Sequence, residues 1–143
     1  MTIAMLPLLA ACGHGGEAVG PEGWQPIPGA SSAWATGAGS TAQEYRYVNR
    51  PFGGTLQDLA SSVTIDVLLH HRGAKLQGSV PIAACPGAAG VATFLLPSSQ
   101  TLEEGFTVAD KRSVRTSYLR RTGAAADPSV TAAMQKALCI TPG

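Results

Sequence analysis

The chain has 143 residues, of which 45% are hydrophobic and only 13% charged, with a formal net charge of +1. That balance describes one globular domain with one core, excludes a polyelectrolyte, and gives no electrostatic case for nucleic acid or a strongly acidic partner. Many of the 17 glycines and 10 prolines fall between Gly13 and Gly54, so the early chain reads as a tether followed by loosely patterned strands.

The N-terminus is a short apolar stretch ending in Leu8-Leu9-Ala10-Ala11-Cys12, with glycines beyond it. An apolar segment, small residues and then a cysteine have the form of a processed export signal. It is shorter than the roughly 20 apolar residues that span a bilayer. Leu9-Ala10-Ala11-Cys12 resembles the lipobox of bacterial lipoproteins. The resemblance implies palmitate-type acylation of the Cys12 thiol, cleavage just before it, and usually acylation of the new N-terminus. Each buried methylene contributes about 0.8 kcal/mol, so two or three chains make a durable anchor where one holds only marginally. Thr2 to Ala11 contains no Lys or Arg, and Pro7 interrupts the apolar run. The missing positive n-region reads as a start placed too far downstream, with residues 1–11 a truncated signal peptide. The competing reading is a cytosolic protein with a chance Leu-Ala-Ala-Cys. Gly13, rather than Asp, follows the cysteine; by the same resemblance this implies an outer-membrane address, on its periplasmic face or at the cell surface.

Residues 12–23 have no periodicity and are expected to be a flexible tether, with a single domain over 24–143. Trp24, Trp34 and the alternation Gln43-Glu44-Tyr45-Arg46-Tyr47-Val48 predict one or two early strands, ended by Pro51 to Gly54. Thr55-Leu56-Gln57-Asp58 then has the form of a capping box. Behind it Leu56, Leu59, Ala60, Val63 and Val67 recur at helical spacing, predicting a helix to about Arg72 with Gly73 at its C-terminal end. Val63-Thr64-Ile65-Asp66-Val67 alternates equally well as a strand, so residues 62–71 carry a competing assignment. Ala74 to Ile82, Ala89 to Leu96, Leu102 to Ala109 and Val114 to Arg121 predict four more strands. The last two are joined by a polar turn over Asp110 to Ser113. Asp127-Pro128 starts a final helix, with Asp as N-cap and Val130, Met134, Ala137 and Leu138 as its buried face.

Three cysteines are an awkward number for an exported protein, but assigning Cys12 to lipid leaves Cys85 and Cys139. In an oxidising compartment these read most simply as a disulfide; in a reducing cytosol they would be two buried thiols. Cys139 falls off the buried helical face. The bond therefore requires the helix to end or tighten at about Leu138, or its edge to lie beside the sheet.

The order of elements predicts an α+β domain: an antiparallel sheet of about five or six strands, a long helix after the first strands, and a C-terminal helix. Over Trp24 to Cys139, with the helix start at Thr55 to Asp58 and the Tyr118 strand before the last helix, this arrangement resembles the MOG1/PsbP-like fold of several small exported bacterial lipoproteins. The resemblance implies a non-catalytic accessory or binding protein and assigns no functional residue.

Candidate chemistry is sparse. His70 and His71 point about 100° apart on a helix and cannot chelate one ion together, so His70 reads as a satisfied edge position. Glu103 and Glu104 go to opposite faces of a strand, and a solvated strand edge is the ordinary reading. Gly37 to Thr41 lacks the GK[ST] ending of a phosphate loop, and no serine has a recognisable base partner. No metal set and no cofactor are implied. Lys111, Arg112, Arg115, Arg120 and Arg121 form a modest basic cluster, either a solvated hairpin or a contact for anionic headgroups or envelope polymers. Whether Arg115 and Arg121 line a concavity or open solvent discriminates the two. The expected function is a lipid-anchored, non-enzymatic envelope protein binding a ligand or protein partner through its sheet face or a groove beside the long helix. Two alternatives are a small periplasmic hydrolase-like enzyme and a scaffold docking through an exposed Trp24 or Trp34.

Overall fold

The structure, a computed structural model, describes residues 18–82, 85 and 87–140. Cys12, residues 1–11 and most of the expected tether lie outside them. The strands are β1 (Gln25–Pro26), β2 (Ala33–Thr36), β3 (Gln43–Pro51), β4 (Lys75–Pro81), β5 (Ala89–Leu96), β6 (Gln100–Ala109) and β7 (Arg112–Arg121); the helices are α1 (Leu56–His70) and α2 (Pro128–Leu138). All strands pair antiparallel in one sheet of order β1-β2-β3-β7-β6-β5-β4. Among the described residues the sheet has seven strands rather than five or six, because the segment before β3 folds back twice, β1 contributing only two residues. Packing also begins ahead of Trp24: Pro21 is buried, and Gly20 sits so close to Trp34 that a Cβ there would lie 2.4 Å from the indole.

The two helices cover opposite faces of the sheet, which gives the domain two cores. On one face Leu59, Val63 and Val67 of α1 pack against Ala92, Phe94, Leu96, Leu102 and Phe106. On the other, Val130, Ala133, Met134, Ala137 and Leu138 of α2 meet Tyr45, Tyr47, Val114 and Tyr118. Gly105 allows the second contact, since a Cβ there would lie 2.5 Å from both Leu138 Cδ1 and Thr116 Oγ1.

Each helix begins where its capping residues dictate. The Asp58 backbone N–H donates to Thr55 Oγ1 (3.1 Å) and the Thr55 N–H to Asp58 Oδ2 (2.8 Å), the reciprocal box expected from the sequence. This cap and the buried stripe decide residues 62–70 as helix, against the strand alternative. At α2 the Ser129 N–H donates to Asp127 Oδ1 (2.9 Å) behind Pro128. The Asp127 N–H donates to the Tyr118 hydroxyl (3.0 Å), which donates in turn to Gln43 Oε1 (2.5 Å), so one tyrosine ties β7 to β3 and to α2.

Helix α2 ends at Leu138, and Cys139 leaves helical geometry at φ −84°, ψ 68°. That release is what the sequence requires for the cysteine to turn back, and Cys85 and Cys139 form a disulfide with Cα atoms 4.5 Å apart. The bond joins the β4–β5 connection to the end of α2.

Candidate functional site

Helix α1 lies over β5 and β6 and leaves the same face of β3 and β7 uncovered. The step between the helix flank and the bare strands is a groove of two adjoining hollows, about 190 and 720 Å³. The larger falls in the range of about 300–1,000 Å³ usual for ligand sites. Strand alternation decides its floor: Glu44, Arg46, Val48 and Arg50 of β3 and Arg115 and Ser117 of β7 share this face. Asp66, His70 and His71 form the helix wall, and Phe52, Leu59 and Val63 close one end with apolar surface.

Arg115 organises the groove. Its Nε donates to Glu104 Oε1, and its Nη1 donates to Asp66 Oδ2 at 2.8 Å. Asp66 also accepts from His70, whose Nδ1 lies 3.0 Å from Oδ1 and 2.8 Å from the Asp66 carbonyl oxygen. Glu104 is 1% exposed. Burial raises its pKa, opposed by the Arg115 charge and by hydrogen bonds from Ser117 and Arg115. The hydrogen bond from Arg115 lowers the Asp66 pKa, helped by the charges of Arg115, His70 and Arg50. Burial works against the Arg115 charge, but Glu104 and Asp66 outweigh it and hold the guanidinium protonated.

The cations at the rim are differently placed. Arg46 lies 3.8 Å from Glu44 with both side chains nearly half exposed, a pair of little energetic weight. Among the described residues Arg50 forms no ion pair. Arg46 and Arg50 are therefore available to an anionic group, whereas Arg115 is already committed.

The five basic residues singled out in the sequence do not form one surface. Lys111 and Arg112 lie at one end of the β6–β7 hairpin, where Arg112 Nε donates to Asn49 Oδ1 (2.6 Å). Arg120 and Arg121 lie at the other end, about 30 Å away at strand rise. Arg120 is on the α2 face, donating to Glu103 and lying 5.1 Å from the Tyr118 ring centre. Arg121 is exposed, so only Arg115 lines a concavity. Glu104 corrects the reading of a solvated strand edge: β6 is a central strand, so a carboxylate between Leu102 and Phe106 has nowhere to go but the core. Glu103 does go to the opposite face, as alternation requires. The docking tryptophans are also corrected. Trp24 is buried, its Nε1–H donating to Asp127 Oδ2 (3.3 Å), and Trp34 is half-buried with its ring centre 5.9 Å from that of Tyr45.

The Asp66–His70 pair has the orienting half of a charge-relay arrangement. Among the described residues, however, no serine or threonine hydroxyl is hydrogen-bonded to His70. Nor does any group of three or more His, Cys, Asp or Glu side chains among them stand close enough to hold a metal ion. None of the helices described is long and apolar enough to cross a membrane.

No family model and no curated protein matches the chain. Among solved structures it is similar to the solution structure of cyanobacterial PsbP (CyanoP) from Synechocystis sp. PCC 6803, with a TM-score of 0.52 and 12% identity over 87% of this chain and 84% of that one. The likeness is one of fold. The chain has an α+β architecture resembling the MOG1/PsbP-like one, as the order of its elements predicts, and no residue's role carries across at that identity.

Proposed function

We propose that the chain is a lipid-anchored, non-enzymatic protein of the bacterial cell envelope, an accessory or binding module whose ligand or partner is met in the groove beside α1. The observation that carries the binding role is the disposition of charge there. Arg115 is neutralised at the floor by Glu104 and Asp66, while Arg46 and Arg50 stand at the rim beside the apolar residues Val48 and Phe52. A groove of that kind suits an anionic group, carboxylate or phosphate, carried on an apolar body. Acyl chains on Cys12 would hold the module at the membrane, and the Cys85–Cys139 disulfide suits an oxidising compartment outside the cytosol.

The test is a chemical-shift titration of the labelled full chain with octyl phosphate and, separately, with octanol. Saturable shifts are expected at Arg46, Arg50 and His71 with the phosphate alone, abolished in Arg50→Glu. Equal responses to both compounds, or shifts spread evenly over the surface, would overturn it.

A further inference from the structure

Helix α1 is apolar on the wrong side as well as the right one. Its inner stripe is Leu59, Val63 and Val67, yet its outward residues include Ile65, Leu68 and Leu69, which are 58%, 44% and 76% exposed. A helix packed on a soluble domain ordinarily presents polar residues there. Leu76, at the start of the adjoining edge strand β4, is 48% exposed and lies on the sheet face that α1 covers, since it pairs with Phe94. These four account for most of the large exposed apolar side chains among the described residues. Of the others, Val48 lies in the groove and Val80 follows the register shift in β4, which turns it to the opposite face. Between Leu69 and Leu76 the chain carries two exposed cations, Arg72 and Lys75.

The charge around this corner is one-sided. The sequence from Val67 to Leu102 contains no Asp or Glu. The nearest carboxylate, Asp66, is on the groove side of α1 and is occupied by Arg115 and His70. Neighbouring apolar side chains accompanied by Arg72 and Lys75, with the adjoining Asp66 already paired, are the pattern of an interfacial contact: leucines enter the boundary between headgroups and acyl chains while Lys and Arg meet anionic headgroups. An acidic protein surface would satisfy the two cations but would not require the leucines to stand clear of the body.

We infer that the α1–β4 corner, comprising Ile65, Leu68, Leu69, Arg72, Lys75 and Leu76, docks onto an anionic bilayer surface. This contact is separate from any acyl chain on Cys12 and from the groove. It orients the domain with the C-terminal end of α1 towards the lipid and leaves the groove on the flank of α1 free to meet a ligand.

The experiment uses the full chain carrying Cys12→Ser, so that no acyl chain contributes, in co-sedimentation with vesicles. One set is phosphatidylcholine alone, and the other equal parts phosphatidylcholine and phosphatidylglycerol. Binding to the mixed vesicles and not to the neutral ones is expected. Each cation near such a surface is worth about fivefold in partitioning, so Arg72→Glu with Lys75→Glu lowers binding by about 25-fold or more. Leu68→Glu with Leu69→Glu, at positions where the fold does not need the leucines, lowers it by about tenfold or more. Lys111→Glu with Arg112→Glu makes the same charge change on the β6–β7 hairpin and leaves binding within about twofold. Absence of binding, binding indifferent to phosphatidylglycerol, or an equal loss in the hairpin variant would overturn the assignment. So would a concentration-dependent mass without vesicles that Leu69→Glu abolishes, which would assign the corner to a second copy of the chain.

Discussion

Replacing Arg115 with Met isolates the charge arrangement beneath the groove. The substitution keeps most of the side-chain volume but removes both guanidinium bonds, leaving Glu104 at 1% exposure with Ser117 as its remaining partner. Breaking a buried pair on one side typically costs about 3–5 kcal/mol, because the stranded charge keeps its desolvation penalty. The second bond adds little: the Asp66 side chain is 42% exposed, and such pairs are worth about 1 kcal/mol or less. The expected loss is therefore about 4 kcal/mol, a large share of the roughly 5–15 kcal/mol of an ordinary domain. Adding Glu104→Gln removes the stranded charge and should recover at least about 2 kcal/mol of it, measured as coupling in a double-mutant cycle by urea unfolding. The pH dependence has a defined sign. Without Arg115 only the Ser117 hydrogen bond opposes the burial that raises the Glu104 pKa, so the folded state binds a proton more readily than the unfolded chain. Stability of the variant then rises as pH falls through that raised value towards the ordinary glutamate value of 4.5. An Arg115→Met loss below about 1 kcal/mol, unchanged between neutral and mildly acidic pH, would show that the buried Glu104 charge does not depend on Arg115.

Gly105→Ala should destabilise by about 1–3 kcal/mol, since its Cβ would meet Leu138 and Thr116 at 2.5 Å and Met134 at 2.9 Å; thermal unfolding reads the change. Tyr45→Phe should do the opposite and raise stability by about 1 kcal/mol, read as a higher urea midpoint, because the buried Tyr45 hydroxyl has no hydrogen-bond partner among the described residues. Replacing Cys85 and Cys139 together by Ala opens a cross-link between residues 54 apart and should cost about 4 kcal/mol in the chain-entropy account, measured by unfolding of variant and parent under non-reducing conditions.

The elements most legible in the sequence were those with local signals. Strand β5 has the limits that its apolar run predicts, and both helices begin at the residues that cap them. The condition on Cys139, release from the helix after Leu138, is met at that residue. What escaped depends on pairing between distant segments. Glu104 is buried because β6 has neighbours on both sides, a fact about strand order that no window of sequence contains, although a carboxylate alternating with Leu102 and Phe106 was the available sign. The groove escaped for the same reason: Asp66 and Arg115 are 49 residues apart and meet only when α1 crosses the sheet. Helical spacing from Asp66 to His70 marked one half of that network. The β6–β7 turn is tighter than its polar composition implies. Ala109 pairs with Arg112, and Asp110 and Lys111 both take positive φ, the geometry of a two-residue hairpin turn.

The proposed acyl anchor stands or falls on the chemical state of Cys12 after expression in a bacterial host together with the in-frame codons upstream. Mass spectrometry of the purified chain is predicted to find Cys12 as the N-terminal residue, carrying acyl chains, in the membrane fraction. A cytosolic product that begins at or before Met1, with an unmodified thiol at Cys12, would contradict it.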